Sequence, residues 1–546
     1  MNQLFKIFFL KLFLSKKVRL IFPSLLGHEG LLWRKVGMGL FFLFFLSCSS
    51  KKNTQVVAPN PDNYVDAYIV QINDVYEIGA LEGGKRGGLA RVATVLNELR
   101  AKNPNTYFVI AGDFLNPSLL GTMSFEGKAI KGRQMVDVLN AMKLNIATLG
   151  NHEFDLDYPD LQARINESKF DWLSTDVFFN KENNVIPFYK TVNGDNKNFS
   201  NFLKLYIPNG SDTPFTIGIF SATINSVKKD FIHYKNYEVE ARKILREALS
   251  ETDVNIGITH LEMKSDTALL RKLGNIPLFI GGHDHDNMKI KAGNGYVTKA
   301  DANAKSIYIH HFMMEKRTKN VTIDSKLMLI DEKIKEDSTI AFLVSKWNTI
   351  GAESMRKQGF NPDNPVANIK ETLNGKESSI RNEQNNLGLM ITKAMLFSSK
   401  NAKIALFNGG SVRIDDYVTG SIYETDVIRI MPFGGAIVDV ELKGDLLIQL
   451  LKAGEANKGR GGYLQRSQNV SLENNVWKID NQEITNEKIY NVIVPKFLLD
   501  GKERNIEFFT KENAGVIKTN FPDANNINDT RNDIRKAFIA YLRSLK

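Results

Sequence analysis

The sequence predicts an α/β protein: two domains, each alternating strands with helices, behind an export segment. Three features predict it. Between residues 65 and 330, short β-branched runs alternate with stretches of helical periodicity. From 361 to 546 a second alternation follows, and the 331–360 stretch between them reads as one polar-faced linker helix. At 546 residues the chain is long enough for two full cores.

The 1–48 segment carries Arg34 and Lys35, the apolar run 38–46, then Ser47 and the only cysteine, Cys48. A basic flank, an apolar stretch too short to span a bilayer and a small residue before cysteine resemble a bacterial lipoprotein signal, with Cys48 as the lipidated residue. Membrane contact through that anchor is expected, in the periplasm or on the surface of a bacterial outer membrane. A lone cysteine excludes an intrachain disulfide and a cysteine-ligated metal. Residues 49–64, polar with Pro59 and Pro61, read as a tether. The formal charge of +10 suggests a nucleic-acid partner, but residues 1–52 hold nine basic residues against one acid, Glu29. The body is nearly neutral, and no nucleic-acid polymer is expected to bind it.

In the first domain, strands are predicted at 67–72, 107–111, 144–149, 254–258 and 277–280, helices at 89–101, 239–249 and 267–273, and a surface excursion at 180–204. In the second, helices are predicted at 385–397 and 533–545, and strands at 403–407, 436–442 and 490–495.

Each of the five N-terminal strands ends in metal-binding side chains: Asn73-Asp74-Val75-Tyr76, Gly112-Asp113, Gly150-Asn151-His152-Glu153-Phe154-Asp155, Thr259-His260 and Gly281-Gly282-His283-Asp284-His285. In a parallel sheet covered by helices those ends converge on one edge, where sites are built. Carboxylates, an amide and imidazoles suit two hard or borderline divalent ions sharing a site. Asp113 is the natural bridge, since Gly112 lets the chain turn sharply. His283 and His285, two apart in an extended segment, put both imidazoles on one face to serve neighbouring ions. Asn151 offers a neutral oxygen. His152 and Asp155 sit just beyond, placed to work on substrate. A single Gly-Asp pair is noise, but four of the eight histidines falling in one ordered set is not.

Together these motifs resemble the calcineurin-like metallophosphoesterases joined to a 5′-nucleotidase C-terminal domain, over about residues 65–546. The resemblance implies an N-terminal metallophosphatase β-sandwich flanked by helices, a linker helix and a second α/β domain that binds substrate. It implies two divalent metal ions (Zn, Mn, Co, Mg or Fe), one on Asp74, Asp113 and His285, the other on Asp113, Asn151, His260 and His283. A metal-bridging hydroxide would attack phosphorus in line. His152 would stabilise charge on the phosphoryl group and leaving oxygen, with Asp155 holding its tautomer. One position departs: the family's Asp-x-His is here Asp74-Val75-Tyr76. Tyr76 can be a phenolate ligand to a harder ion, a bystander with water in its place, or the mark of a weakened first site. Retention of every other ligand points to an altered but functional site.

In the second domain, Asn408-Gly409-Gly410-Ser411-Val412-Arg413 matches a nucleotidase motif. Its glycines are expected to let the backbone approach a ligand, and Arg413 to clamp phosphate or carboxylate. Phe433 and Phe497 match two rings that sandwich a nucleobase. Beyond Phe497, Asp500-Gly501-Lys502-Glu503-Arg504 replaces the family's Gly-Gly-Asp-Gly, leaving Glu503 as the substitute for a ribose-binding Asp. Glu383 stands where some members carry a phosphate-binding arginine. The implied activity is hydrolysis of nucleotides or related phosphate esters. The alternatives are a 2′,3′-cyclic phosphodiesterase, a UDP-sugar-type pyrophosphatase, and a surface-binding lipoprotein with a dead catalytic domain, which the retained histidines oppose.

Overall fold

Alternation along the first strand determines how the N-terminal half is layered. In Tyr64–Ile72, Val65, Ala67 and Ile69 enter one apolar core while Val70 and Ile72 enter another, so both faces are covered. The structure is a computed structural model that describes residues 63–545 apart from residue 249. The predicted export segment, Cys48 and all but the end of the predicted tether lie outside the described residues.

Two six-stranded sheets form the N-terminal half. In the first, Tyr64–Ile72, Thr106–Ile110, Ile146–Thr148 and Asp171–Leu173 run parallel, and the long hairpin Ser306–Glu315/Val321–Leu329 is added antiparallel. In the second, Phe215–Thr223, Val254–His260, Leu278–Gly281 and Gly295–Lys299 run parallel, edged by Leu203–Ile207 and Met288–Ala292. Ile69, Val109, Ile217, Ile256, Ile280 and Phe312 fill the space between the sheets. Helices Leu89–Lys102 and Arg133–Ala141 cover one outer face, and Tyr237–Ala248 and Met263–Leu273 the other. The five ligand-bearing strands therefore belong to two sheets rather than one, as the β-sandwich implied.

The 180–204 excursion is more ordered than its composition suggests. Val177–Lys181 and Asn184–Ile186 form one hairpin, and Tyr189–Val192 and Asp195–Asn198 another. The turns use Glu182-Asn183 and Asn193-Gly194, all with positive φ, as two-residue hairpin turns require.

The connecting helix is shorter than 331–360, running Ser338–Lys357, with the Asp337 carboxylate accepting from the Thr339 and Ile340 N–H groups. It buries Ile340, Val344, Trp347 and Met355, and Trp347 Nε1 donates to Asp137 at 3.0 Å. One apolar cluster continues from Leu89 and Leu96 through Trp347 to Ile391, Phe407 and Phe538. The C-terminal half has a mixed five-stranded sheet ordered Leu464–Arg466, Ile404–Asn408, Ile489–Pro495, Ile437–Lys443, Val516–Asn520, with helices Asn386–Ser398, Gly444–Ala456 and Ile534–Ser544. Among the described residues no helix is long and apolar enough to cross a membrane.

Candidate metal centre

Asp113 is placed by two consecutive left-handed residues, Gly112 (φ 78°) and Asp113 itself (φ 55°). A Cβ on Gly112 would lie 2.6 Å from Gly150 N, and one on Gly150 would lie 2.1 Å from Asp113 Oδ1. Glycine is therefore required where the two strand ends meet. The turn is held by Glu153, fully buried. Its Oε1 accepts from the Phe114 and Leu115 N–H groups at 2.8 and 3.1 Å, and its Oε2 from Asp113 and Gly150 at 2.8 and 2.7 Å. Burial and the Asp113 charge push the Glu153 carboxyl up to about 7.

Asp113, His260 and His283 each offer one ligand atom, all within 4.8 Å of one another. Asn151 joins them, its Oδ1 3.1 Å from His283 Nδ1. His260 Nδ1 lies 2.7 Å from the Ala111 carbonyl, which turns Nε2 toward the site. That buried Nε2 is 3.1 Å from Asp113 Oδ2 yet has no hydrogen-bond partner. Ligand atoms gathered this closely, with the His260 nitrogen in no well-formed hydrogen bond, suit a shared cation, and the O/N set fits a divalent ion.

His283 departs from the extended conformation expected of it. Its φ is 79°, and its N–H reaches both Asp74 oxygens at 3.0 and 3.1 Å. The left-handed turn sends the two imidazoles in different directions. His283 faces Asn151, while His285 Nε2 lies 3.1 Å from the Tyr76 hydroxyl and 3.6 Å from Asp74 Oδ1. The Tyr76 hydroxyl also lies 3.4 Å from Asp113 Oδ2. Burial first, then the charges of Asp113, Asp74 and Asp415, hold the Tyr76 phenol well above its ordinary value.

The imidazoles and carboxylates of the pocket shift one another. Burial works against ionising His260 and His285, but Asp113 and Asp415 outweigh it and pull them up to about 9 and about 10. Burial and the His260 charge push His283 down to about 3. Burial opposes the Asp113 carboxylate, which His260 and His152 nonetheless hold well below its ordinary range.

At the mouth, His152 Nδ1 lies 2.7 Å from Asp155 Oδ2, as expected of that pair. Asp155 Oδ2 also accepts from Asn116 Nδ2 at 3.0 Å and from Arg413 Nη2 at 3.0 Å. Arg413 thus reaches across from the C-terminal half. So does Asp415, whose carboxylate contacts His285 Nδ1 and accepts from Glu377 N at 2.5 Å. The acidic pair two residues beyond Arg413 was the only hint of this contact. Arg381 was also missed. Its side chain is mostly buried and pairs through Nη1 with the Glu377 carboxylate, it also feels the charges of Arg413, Asp415 and Asp155, and its Nε has no hydrogen-bond partner. It lies two residues from Glu383, the position at which the resemblance implies an arginine in some members.

The Gly409-Gly410 loop is tight because chain packs closely on chain there. Cβ atoms there would lie 2.6 Å from the Ile380 carbonyl oxygen and 2.8 Å from Gly461 Cα, so the glycines let chain pack on chain. Asn408 Nδ2 donates to Glu503 Oε2 at 3.0 Å, joining two residues predicted to bind substrate. Phe433 and Phe497 are 63% and 44% exposed, so neither is a core residue.

Residues 67–287 match the calcineurin-like phosphoesterase family and residues 365–511 the 5′-nucleotidase C-terminal domain. The chain belongs to the calcineurin-like phosphoesterases that carry a 5′-nucleotidase C-terminal domain. As a member it is a hydrolase of phosphate esters. It is 24% identical to the 5′-nucleotidase of Homo sapiens over 484 residues, covering 76% of this chain and 78% of the human protein. Its fold is like that of a 5′-nucleotidase precursor from Thermus thermophilus (TM-score 0.64, 20% identity, 88% of this chain and 97% of that one). The Thermus thermophilus sulfate thiohydrolase SoxB has a similar fold (TM-score 0.60, 10% identity, 90% of this chain and 95% of that one). A phosphoesterase fold of this kind thus fixes the scaffold, while the substrate must be argued from the site.

Proposed function

We propose that this phosphoesterase hydrolyses nucleotides, holding two divalent ions between Asp74, Tyr76, Asp113, Asn151, His260, His283 and His285. The observation that carries this reading is the convergence of Asp113, His260 and His283 beside the His152–Asp155–Arg413 chain. The ions would supply Lewis-acid charge against the phosphoryl oxygens. His152 is drawn above its ordinary pKa by Asp113 and Asp155 against the effect of burial, which favours the protonated form that a leaving alkoxide needs. Arg413 spends one Nη2 on Asp155 and keeps a buried, unpartnered Nε, which leaves donors for a substrate anion. Phe433 and Phe497 present exposed rings for a base, and Asn408 with Glu503 a polar pair for the sugar. Residues 65–330 and 361–546 act as metal-binding and substrate-binding domains joined by 331–360. A panel of nucleoside monophosphates, 2′,3′-cyclic nucleotides, UDP-sugars and simple phosphomonoesters, run on chelator-stripped protein with Mn, Zn, Co, Mg or Fe restored, tests the reading. Preference for nucleoside monophosphates supports it; equal turnover of a base-free phosphomonoester would count against it.

Tyr76 is read as a hydroxyl that borders the first ion. Tyr76→Phe removes only that oxygen and is expected to weaken the first ion, read as a lower metal content at fixed free metal. Tyr76→His should shift preference toward zinc, because neutral imidazole suits it better than a phenol. If Tyr76→Phe titrates like the wild type with every metal, the hydroxyl is a bystander.

Export and anchoring rest on residues 1–52. Cys48→Ala is expected to move the protein from the membrane fraction to the soluble one with unchanged turnover, since the several acyl chains of a lipoprotein hold where one would not. Retention in membranes would point to an uncleaved N-terminal helix.

A further inference from the structure

A lysine buried at the base of the metal centre has no part in the chemistry above. Lys299, at the end of strand Gly295–Lys299, is 0% exposed, a rare state for lysine. Its Nζ donates to the Gly282 carbonyl at 2.7 Å and Asp284 Oδ2 at 2.5 Å, lies 2.9 Å from Asp266 Oδ2, and also donates to the Leu261 carbonyl. Each partner flanks a metal-binding residue or its support. Leu261 follows His260, Gly282 precedes His283, Asp284 lies between His283 and His285, and Asp266 is in the first turn of helix Met263–Leu273. Asp284 also accepts from Met263 N at 2.8 Å, tying that helix to the same loop. The stem packs on the neighbouring strand, where a Cβ on Gly281 would lie 3.0 Å from Lys299 Cε.

We infer that Lys299 is a positioning residue, a built-in cation that fixes the His260 strand end against the His283–His285 loop so that their imidazoles meet one ion. A buried charge triad is a poor device for stability alone, because apolar side chains of similar volume hold a core as well. Its acceptors are the backbone carbonyls and side chain that set where His260 and His283 point, and supports of this kind tune metal affinity.

The inference rests on the proposed metal reading, and the test separates the two. Mn²⁺ is titrated calorimetrically into chelator-stripped full-length wild type, Lys299→Met, Lys299→Met/Asp266→Leu and Asp284→Asn, and each metal-free protein is melted. Lys299→Met is expected to bind Mn²⁺ about 10- to 100-fold more weakly. The double variant, relieved of the unpaired Asp266 charge, should regain melting temperature without regaining affinity. Affinity that returns with melting temperature, or that stays within about threefold of wild type in every folded variant, overturns the inference. If Lys299→Met does not fold, Asp284→Asn decides by the same threshold, since it removes a partly exposed partner and leaves the buried ones. A wild type that binds no Mn²⁺ would tell against the metal reading itself.

Discussion

Asp113→Asn is expected to lower phosphate release by at least ~1000-fold, about 4 kcal/mol of transition-state stabilisation, with the fold intact by circular dichroism. Asp113 accepts from His152 N at 2.7 Å through Oδ1, and its Oδ2 faces His260 at 3.1 Å. The amide keeps the shape of the side chain but removes the charge that two cations would share. His283→Ala should match it, because it deletes one of the three convergent ligand atoms. Measured with each metal in excess, activity within about tenfold of wild type in either variant would contradict the assignment of these residues as ligands.

Glu153 should produce a large loss of stability. Its carboxylate satisfies four buried N–H groups, two on each oxygen. Glu153→Ala leaves all four without acceptors, and at ~1 kcal/mol or more apiece the loss should be roughly 4 kcal/mol or greater by urea unfolding. Glu153→Gln keeps one oxygen and turns an NH₂ toward the other pair, so it should lose roughly half as much. Equal stability of Gln and Glu at this position would mean that the strand-end turn does not depend on the carboxylate. Glu153 is not a ligand, so its effect on metal content should follow from the turn it holds and appear in melting as well as in turnover.

The ligand-bearing strand ends were legible because each joins a β-branched run to a polar cluster within a few residues. Local pattern is enough to find such a junction. Strand Phe215–Thr223 has no such ending and is buried throughout, so it lacks the alternation that marks a half-covered strand. The hairpins of 177–198 were hidden because their Asn and Gly content reads as loop, when it reflects the left-handed turns between short strands. The conformation of His283 depends on its N–H finding Asp74, a contact between residues far apart in the chain. For the same reason Asp415 and Arg381 were illegible. Only the packed fold brings the Gly409–Ser411 turn and its flanks against the N-terminal sheet edge. Lys299 was hidden differently, since a lysine in a short strand ordinarily signals a solvent-facing edge.

The contacts of Asp415 with His285 and of Arg413 with Asp155 carry a consequence for inheritance and engineering. Two of the groups that set the charge and orientation of the catalytic pocket are encoded in the other half of the chain. If the C-terminal half selects the base as proposed, grafting a relative's half to change that choice would alter the phosphate-cleaving chemistry as well, unless Arg413 and Asp415 travel with matched partners at Asp155 and His285. On the proposed reading, specificity and rate are written by overlapping residues, so selection on one would not leave the other untouched.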